Sequence, residues 1–155
     1  MKQNVYFVSG IDTDAGKSYA TGFLAREWNK NGQRTITQKF IQTGNIGHSE
    51  DFVLLEGAGG LMVPLTTELL TIDYIAQENY PLIFVTSGKL GSINHTLLSL
   101  EAIQKHGIVL DTVLYNMYPT VKDKTIQNDT MNFIQNWLKK YFPDTKFILV
   151  PEIKE

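Results

Sequence analysis

A lysine and a hydroxyl group stand next to each other at the end of a glycine-containing turn near the start of the chain. The segment fits the pattern G-x-x-x-x-x-G-K-[ST], beginning at Gly10 and ending in Gly16-Lys17-Ser18. It lies between an apolar run and an amphipathic one, the context that a phosphate-binding loop requires. Backbone N–H groups and Lys17 would face a polyphosphate, and the Ser18 hydroxyl can ligate Mg²⁺. We therefore predict a phosphate site, although Gly10 lies one residue earlier than usual and an ordinary β–α turn is the alternative.

A carboxylate followed by glycines comes directly after the third apolar run, in Glu56-Gly57-Ala58-Gly59-Gly60. The carboxyl end of a parallel strand is where open α/β sheets bind their ligands. The glycines would let the backbone pass close to a phosphate or substrate. Taken alone, the segment could equally be a tight turn with an exposed acid. Beside the phosphate loop, we expect Glu56 to supply a second Mg²⁺ ligand.

Two other polar features are ambiguous from the sequence alone. Lys39 lies inside the second apolar run, where a lysine is costly unless its amine meets an anion or water. It could also extend to the surface. After the fourth run a helix begins in Gly91–Asn94, and its free N–H groups could hold a carboxylate. Ordinary capping of that helix by Ser92 explains the segment equally well.

The elements that must position these residues alternate along the chain. Short apolar runs predict buried parallel strands, and helical patterns lie between most of them. The strands are predicted at Val5–Ser9, Thr35–Ile41, Phe52–Glu56, Pro81–Thr86, Thr112–Tyr115 and Lys146–Val150, and the helices at residues 20–28, Thr71–Glu78, 93–103 and 126–141. This alternation predicts an α/β fold of the P-loop NTPase type, with a doubly wound, mainly parallel sheet and helices on both faces.

One connection is too short for this fold. Only about ten residues separate Ile41 from Phe52, whereas a parallel crossover needs about a dozen or more, usually helical. We expect that a crossover segment is absent near residues 48–51, either because this sequence omits part of a longer chain, which we favour, or because of a genuine deletion. Otherwise residues 1–155 are expected to form a single domain.

The composition argues against several classes of function. A formal net charge of -2 without basic runs is unsuited to nucleic-acid binding. The chain has no cysteine, which excludes disulfides and thiolate chemistry and favours a cytoplasmic protein. We find neither a signal-peptide pattern nor a membrane-length apolar stretch, so we expect a soluble protein without a membrane partner. The 3 histidines are not spaced as metal ligands.

Several segments together resemble, in order, the landmarks of the dethiobiotin synthetase family. They are Asp12–Ser18, Lys39–Gly44, Val53–Gly60 and Lys89–His95, and they are joined by Asn116 and Pro151, which resemble the family's adenine-binding asparagine and the proline of its late adenine loop. The chain departs from the family at Phe40, where proline is common, and after His48, where a joining stretch is missing.

The resemblance implies an ATP- and Mg²⁺-dependent ligase that forms a cyclic urea from 7,8-diaminononanoate and CO₂. A substrate amine captures CO₂ as a carbamate, whose oxygen attacks the γ-phosphate of ATP. The second amine then closes the ring on the mixed anhydride and releases phosphate. The family works as a homodimer with substrate at the subunit interface, so the resemblance also implies a homodimer.

The same resemblance implies roles for individual residues. Lys17 and Lys39 would stabilise the carbamate and the transferring phosphoryl group. The nucleotide would be bound by Thr13, Asp14, Ala15, Gly16, Lys17, Ser18, Tyr19, Glu56, Gly57, Ala58, Gly59, Asn116 and Pro151. The diamine end of the substrate would contact Thr43, and its distal carboxylate would lie against Gly91, Ser92, Ile93 and Asn94. Mg²⁺ would be held by Ser18 and Glu56, with Asp51 as a further candidate.

Other phosphate-loop classes remain as alternatives. A nucleotide switch or partition ATPase would carry an additional lysine just after the first glycine of the loop, and here that position is Ile11. An amidoligase of the cobyrinate type would need a glutamine-hydrolysing domain, for which 155 residues leave no room. A family member that binds nucleotide without turnover is a further possibility, because of the shortened region after His48.

Overall fold

A six-stranded parallel sheet forms the centre of the protein. The computed structural model describes residues 4–40, 50–118 and 122–152. Within these ranges the strands are β1 (Val5–Gly10), β2 (Thr35–Lys39), β3 (Phe52–Gly60), β4 (Leu82–Ser87), β5 (Leu110–Asn116) and β6 (Lys146–Val150), in the order β2-β3-β1-β4-β5-β6 with every neighbouring pair parallel. The predicted doubly wound α/β fold is confirmed.

Helices cover both faces of this sheet, because its strands are apolar on both sides. The helices within the described ranges are α1 (Lys17–Lys30), α2 (Thr71–Glu78), α3 (Ser92–Lys105) and α4 (Lys124–Tyr141), and none of them is long and apolar enough to cross a membrane. Along β4, Phe84 packs in the cluster that contains residues of α2, α3 and α4, whereas Ile83 and Val85 pack in the cluster that contains residues of α1. Successive strand residues point to opposite faces, so one strand serves both layers.

The topology brings the carboxyl ends of the central strands together. From β1 the chain continues into α1 on one face, and from β3 it continues towards α2 on the other. Such a reversal leaves a crevice outside the carboxyl ends of the strands, where ligands bind. Beside it, β2 pairs with β3 so that Lys39 is in register with Glu56. The fold therefore places these predicted functional residues at one edge of the sheet.

Two strands extend past their predicted ends at glycine, and β5 is longer than predicted at both ends, beginning at Leu110 and ending at Asn116. β1 continues to Gly10 and β3 to Gly60, because these two residues pair with each other beyond the apolar runs. β2 ends at Lys39, and its predicted last residue, Ile41, lies outside the described residues. The same holds for most of the connection between β2 and β3, so the absence of a crossover segment near residues 48–51 stays a prediction.

Candidate nucleotide and metal site

Helix α1 begins at the predicted phosphate loop with an open N-terminus. Gly16 precedes it with φ 78°, a left-handed conformation that glycine adopts freely, and α1 has no side-chain cap. A side chain at Gly16 would collide with the amide of Asn116. The first N–H groups of a helix have no partners within the helix, and they attract anions. The start of α1 can therefore bind a phosphate through its backbone.

A cavity of about 400 Å³ lies against this helix start. Its size is typical of small-molecule sites. It is lined by Thr13, Gly16, Lys17, Ser18, Tyr19, Lys39, Phe40, Glu56, Gly57, Ala58 and Gly59. The structure thus brings most of the predicted nucleotide-binding residues together with both predicted catalytic lysines. Phe40, which the sequence marked only as a departure from the family, is also part of the wall.

The Lys17 side chain folds back onto the loop that precedes it. Its ammonium donates a hydrogen bond of 2.7 Å to the Asp12 carbonyl oxygen, and the residue is only 5% exposed. Burial lowers the pKa of Lys17, and the carboxylates of Glu56 and Asp12 oppose that shift. Because its hydrogen-bond acceptor is a neutral carbonyl, the positive charge of Lys17 is available to an anion in the cavity.

A hydroxyl, a carboxylate and an ammonium group meet beside Lys17. The Ser18 hydroxyl donates to Glu56 Oε1 at 2.7 Å, and Lys39 Nζ donates to Ser18 Oγ at 2.9 Å. Lys39 Nζ also lies 3.3 Å from Glu56 Oε1. Oxygen ligands of this kind suit Mg²⁺, which usually takes one or two protein ligands and completes its shell with phosphate oxygens and water. Within the described residues no group of three or more His, Cys, Asp or Glu could hold a metal by itself.

The predicted adenine residues lie next to the phosphate loop. Asn116, at the end of β5, donates from Nδ2 to the Ala15 carbonyl at 3.1 Å and accepts from the Tyr118 N–H at 3.1 Å. The Tyr19 hydroxyl donates to the Pro151 carbonyl at 2.6 Å. Both ends of the buried Asn116 amide are therefore bonded to protein in this structure, and Asn116 supports the phosphate loop from the end of β5.

The start of α3 is a second uncapped helix N-terminus. Gly91 precedes it with φ 88°, and no side chain caps the helix. Ser92 does not act as the cap, because its hydroxyl lies 3.3 Å from the Ser87 hydroxyl instead. Lys89, in the turn before α3, donates to the Asp14 carbonyl at 2.8 Å and so connects this turn to the phosphate loop. From the sequence, Lys89 was as ambiguous as Lys39, and its contact with Asp14 was not predictable because the two residues are 75 positions apart.

One predicted residue, Asp51, is not brought to this site. Asp51 lies just before β3, where it accepts hydrogen bonds from the Arg34 backbone N–H at 2.8 Å and the Arg34 guanidinium at 3.2 Å. At about 3.3 Å per residue along a strand, it is roughly 16 Å from Glu56, at the opposite edge of the sheet. The structure thus corrects the prediction that Asp51 joins Ser18 and Glu56 around Mg²⁺. Thr43 lies outside the described residues.

Solved structures with this fold are nucleotide-binding proteins. A nucleotide-binding protein in complex with ADP from Archaeoglobus fulgidus has a TM-score of 0.61 and 9% identity, covering 96% of this chain and 82% of that one. A putative plasmid partition protein from Borrelia burgdorferi bound to AMPPNP has a TM-score of 0.61 and 10% identity, covering 98% of this chain and 86% of that one. At these identities the likeness shows the fold.

Closer relatives share the sequence as well. ATP-dependent dethiobiotin synthetase BioD 2 of Pasteurella multocida is 37% identical over 203 residues, covering 92% of this chain and 95% of the relative. ATP-dependent dethiobiotin synthetase BioD of Chlorobaculum tepidum is 37% identical over 201 residues, covering 91% and 84%. Both alignments are longer than the 155 residues of this chain, so each relative has residues that this chain lacks.

The family model that matches this chain is described as an AAA domain and covers residues 30–136. The match includes Lys39 and Glu56, and the relatives above extend the similarity over nearly the whole chain. The open helix start, the cavity and the cluster of Ser18, Lys39 and Glu56 fit an enzyme that binds ATP. The chain belongs to the ATP-dependent dethiobiotin synthetase family.

Proposed function

We propose that this protein is a dethiobiotin synthetase, which uses ATP to join 7,8-diaminononanoate and CO₂ in a cyclic urea. Family membership supports the reaction, and the observation that carries the proposal is the convergence of Lys17, Lys39, Ser18 and Glu56 on one cavity at the start of α1. A reaction of ATP with an anionic nucleophile needs this combination of cations and oxygen ligands.

The reaction proceeds through two intermediates. A substrate amine adds to CO₂ and loses a proton, which gives a carbamate. A carbamate oxygen attacks the γ-phosphorus of ATP, and ADP leaves with the electron pair of the broken P–O bond. The second amine attacks the carbonyl carbon of the resulting mixed anhydride and loses a proton, the C–O bond to phosphate breaks, and the urea ring closes with release of phosphate.

The chain's own residues position these groups and stabilise their charge. In this proposal, N–H groups at the start of α1 and the loop residues 13–16 hold the phosphates, while Lys17 and Lys39 face the anionic oxygens that react. The positions of the two lysines support this assignment, because both residues line the cavity and neither ammonium is held, within the described residues, by more than short local contacts, Lys17 with Asp12 and Lys39 with Ser18 and Glu56. Bringing two anions together requires such cations.

Mg²⁺ would be held by Ser18 and Glu56, with phosphate oxygens and water as its other ligands. Bound there, it would neutralise phosphate charge. The 2.7 Å contact between the hydroxyl and the carboxylate supports the pair as joint ligands. Tyr19, Asn116 and Pro151 would border the adenine.

The diamino acid would extend from the phosphates to the start of α3. Backbone N–H groups of Gly91–Asn94 would bind its distal carboxylate, and Thr43 would contact the diamine end. The uncapped start of α3 supports the carboxylate site, since the alternative, capping of the helix by Ser92, is not made. The hydrogen bond from Lys89 to Asp14 joins this end of the substrate site to the phosphate loop.

We also propose a cytoplasmic homodimer whose interface includes the start of α3. Leu90 is 97% exposed and Leu98 is 59% exposed, on either side of the Gly91–Asn94 segment. Exposed apolar side chains next to a ligand site are typical of a surface that a partner covers. A net charge of -2 argues against a nucleic-acid partner.

We further propose that the single domain normally contains a crossover between β2 and β3 that this sequence lacks near residues 48–51. The adjacent parallel pairing of β2 and β3 supports this, and so do the alignments that are longer than the chain. The intact mass of the protein purified from its source would test it. A mass of 17.5 kDa would refute an omitted segment and indicate a genuine deletion.

The catalytic proposal is tested by incubating the protein with MgATP, bicarbonate and 7,8-diaminononanoate and measuring both phosphate and dethiobiotin. The two products should form in equal amounts, and omission of the diamine should prevent both. Phosphate release that does not depend on the diamine would instead favour an ATPase without ligase activity.

A further inference from the structure

The ammonium group of Lys39 occupies the position at which the two expected metal ligands meet. It lies 2.9 Å from Ser18 Oγ and 3.3 Å from Glu56 Oε1, the same carboxylate oxygen that accepts the Ser18 hydroxyl at 2.7 Å. A monovalent cation thus contacts both oxygens that we assign to Mg²⁺. Lys39 and a metal ion at this position cannot both keep these contacts.

Glu56 needs a cation when no metal is bound. Its side chain is only 9% exposed, and a buried carboxylate without a partner is costly. Lys17 is close enough to act on Glu56 electrostatically, but its direct hydrogen bond goes to the Asp12 carbonyl. The direct cationic contact of Glu56 in the described structure is therefore with Lys39.

Lys39 is also free to leave this position. Its side chain is 59% exposed and the residue lines the cavity, so the ammonium can turn towards the cavity without disturbing the packing of the sheet. β2 holds only its backbone, opposite Glu56. The lysine stem is long and flexible, and its rearrangement needs no change in the fold.

We infer that the Lys39 ammonium group is a placeholder for the metal ion. It neutralises Glu56 when no metal is bound, and it is displaced into the cavity when a divalent cation binds Ser18 and Glu56. This inference rests on the metal site of the proposed function. Metal binding then does two things at once, because it supplies a charge to the phosphates and releases an ammonium group towards the substrate. The coupling is reciprocal, so Lys39 must weaken the affinity for the metal.

The test measures metal affinity without turnover. Mn²⁺ is titrated into nucleotide-free protein at constant ionic strength, and free Mn²⁺ is followed by electron paramagnetic resonance. Lys39→Met should bind Mn²⁺ about threefold to tenfold more tightly than the wild type, since it removes the competing cation. Lys89→Met is the matched control, because it removes the same charge from a lysine that donates to the Asp14 carbonyl and not to Glu56. Its affinity should stay within about twofold of the wild type.

A variant of the carboxylate separates this inference from the metal site itself. Glu56→Gln should weaken Mn²⁺ binding by about tenfold or more. Unchanged binding in that variant would overturn the metal site and the placeholder together. Weaker binding in Glu56→Gln, combined with unchanged or weaker binding in Lys39→Met, would overturn the placeholder alone. Equal tightening in Lys39→Met and Lys89→Met would also overturn it, by revealing a general charge effect.

Nuclear magnetic resonance of ¹⁵N-labelled lysine ammonium groups gives a second readout. The Lys39 signal should be protected from exchange with water in the empty protein and should be lost as Mg²⁺ is added. Persistence of that signal at saturating Mg²⁺ would show that the ammonium group stays in place, and would overturn the inference.

Discussion

Lys39 and Glu56 stand opposite each other in the register of β2 and β3, and their charged ends lie 3.3 Å apart at the carboxyl edge of the sheet. Neighbouring parallel strands therefore hold the backbones of these two residues in fixed relation. The backbones are set by the sheet, so substitutions of these side chains can be interpreted as changes in chemistry more than in fold.

Lys39→Gln should separate binding from chemistry. Diamine-dependent phosphate release should fall by about 100-fold or more, because the lost interaction strengthens as charge develops in the transition state. The dissociation constant for ATP should change by no more than about threefold. Phosphate release with and without 7,8-diaminononanoate, together with a nucleotide titration, measures both effects. Diamine-independent hydrolysis that survives the substitution would contradict the synthetase function.

Glu56→Gln should raise the Mg²⁺ concentration needed for half-maximal activity by about tenfold, since the volume is kept and the charge is lost. Asp51→Asn provides the matched control. It also removes one carboxylate near β3, but at the edge where Arg34 binds it. Its Mg²⁺ titration should match that of the wild type. A shift in Asp51→Asn as large as that in Glu56→Gln would restore Asp51 as a metal ligand.

Lys17→Met should abolish turnover and leave the fold intact. Lys17 is only 5% exposed, and methionine keeps most of its apolar stem. The substitution removes only the positive charge that would bind phosphate. We expect a loss in kcat of about 1,000-fold and a melting temperature close to that of the wild type. A variant that folds and still releases phosphate at the wild-type rate would disprove the phosphate-loop assignment.

The contact between Asp51 and Arg34 should contribute stability that depends on pH. Hydrogen bonds from the Arg34 backbone and guanidinium lower the pKa of Asp51 from the ordinary value of an aspartate. A carboxyl group whose pKa is lower in the folded state stabilises it above the unfolded pKa of about 3.9, and this contribution is lost as pH falls through the folded pKa. Wild type should therefore be more stable than Asp51→Asn at neutral pH, by an amount that shrinks below about pH 4.

Urea unfolding of both proteins at several pH values measures that difference. Because the pair is exposed, the difference should also decrease at high salt. A gap that is constant from neutral pH down to about pH 3 would mean that the Asp51 charge contributes nothing to stability.

Local patterns were sufficient to predict the sheet and the phosphate loop. The apolar runs of the central strands β1, β3, β4 and β5 are buried on both faces, and the loop motif lies between a strand and a helix, as a phosphate loop requires. The contacts that shape the site were not predictable in the same way. Lys89 contacts Asp14, 75 residues away, and Asn116 contacts Ala15, 101 residues away. Contacts between residues so far apart in the sequence leave no local pattern from which they could be predicted. Asp51 was a metal-ligand candidate because it follows the lysine motif in the sequence, and the sequence left open that it merely begins the next strand; the structure places it just before β3, bonded to Arg34.

The hydrogen bond between Asn116 and Ala15 has a consequence for how the protein folds. Ala15 belongs to the loop before α1, and Asn116 ends β5, 101 residues further along the chain. The hydrogen bond therefore holds the loop in place through a residue that is synthesised much later. A contact between residues so far apart is expected to form late in folding, because bringing them together costs the conformational entropy of the chain segment between them. We therefore expect the loop to reach its final shape only after β5 has joined the sheet. A nucleotide that recognises this shape binds the native chain and not earlier states, so ATP should raise the stability of the whole domain.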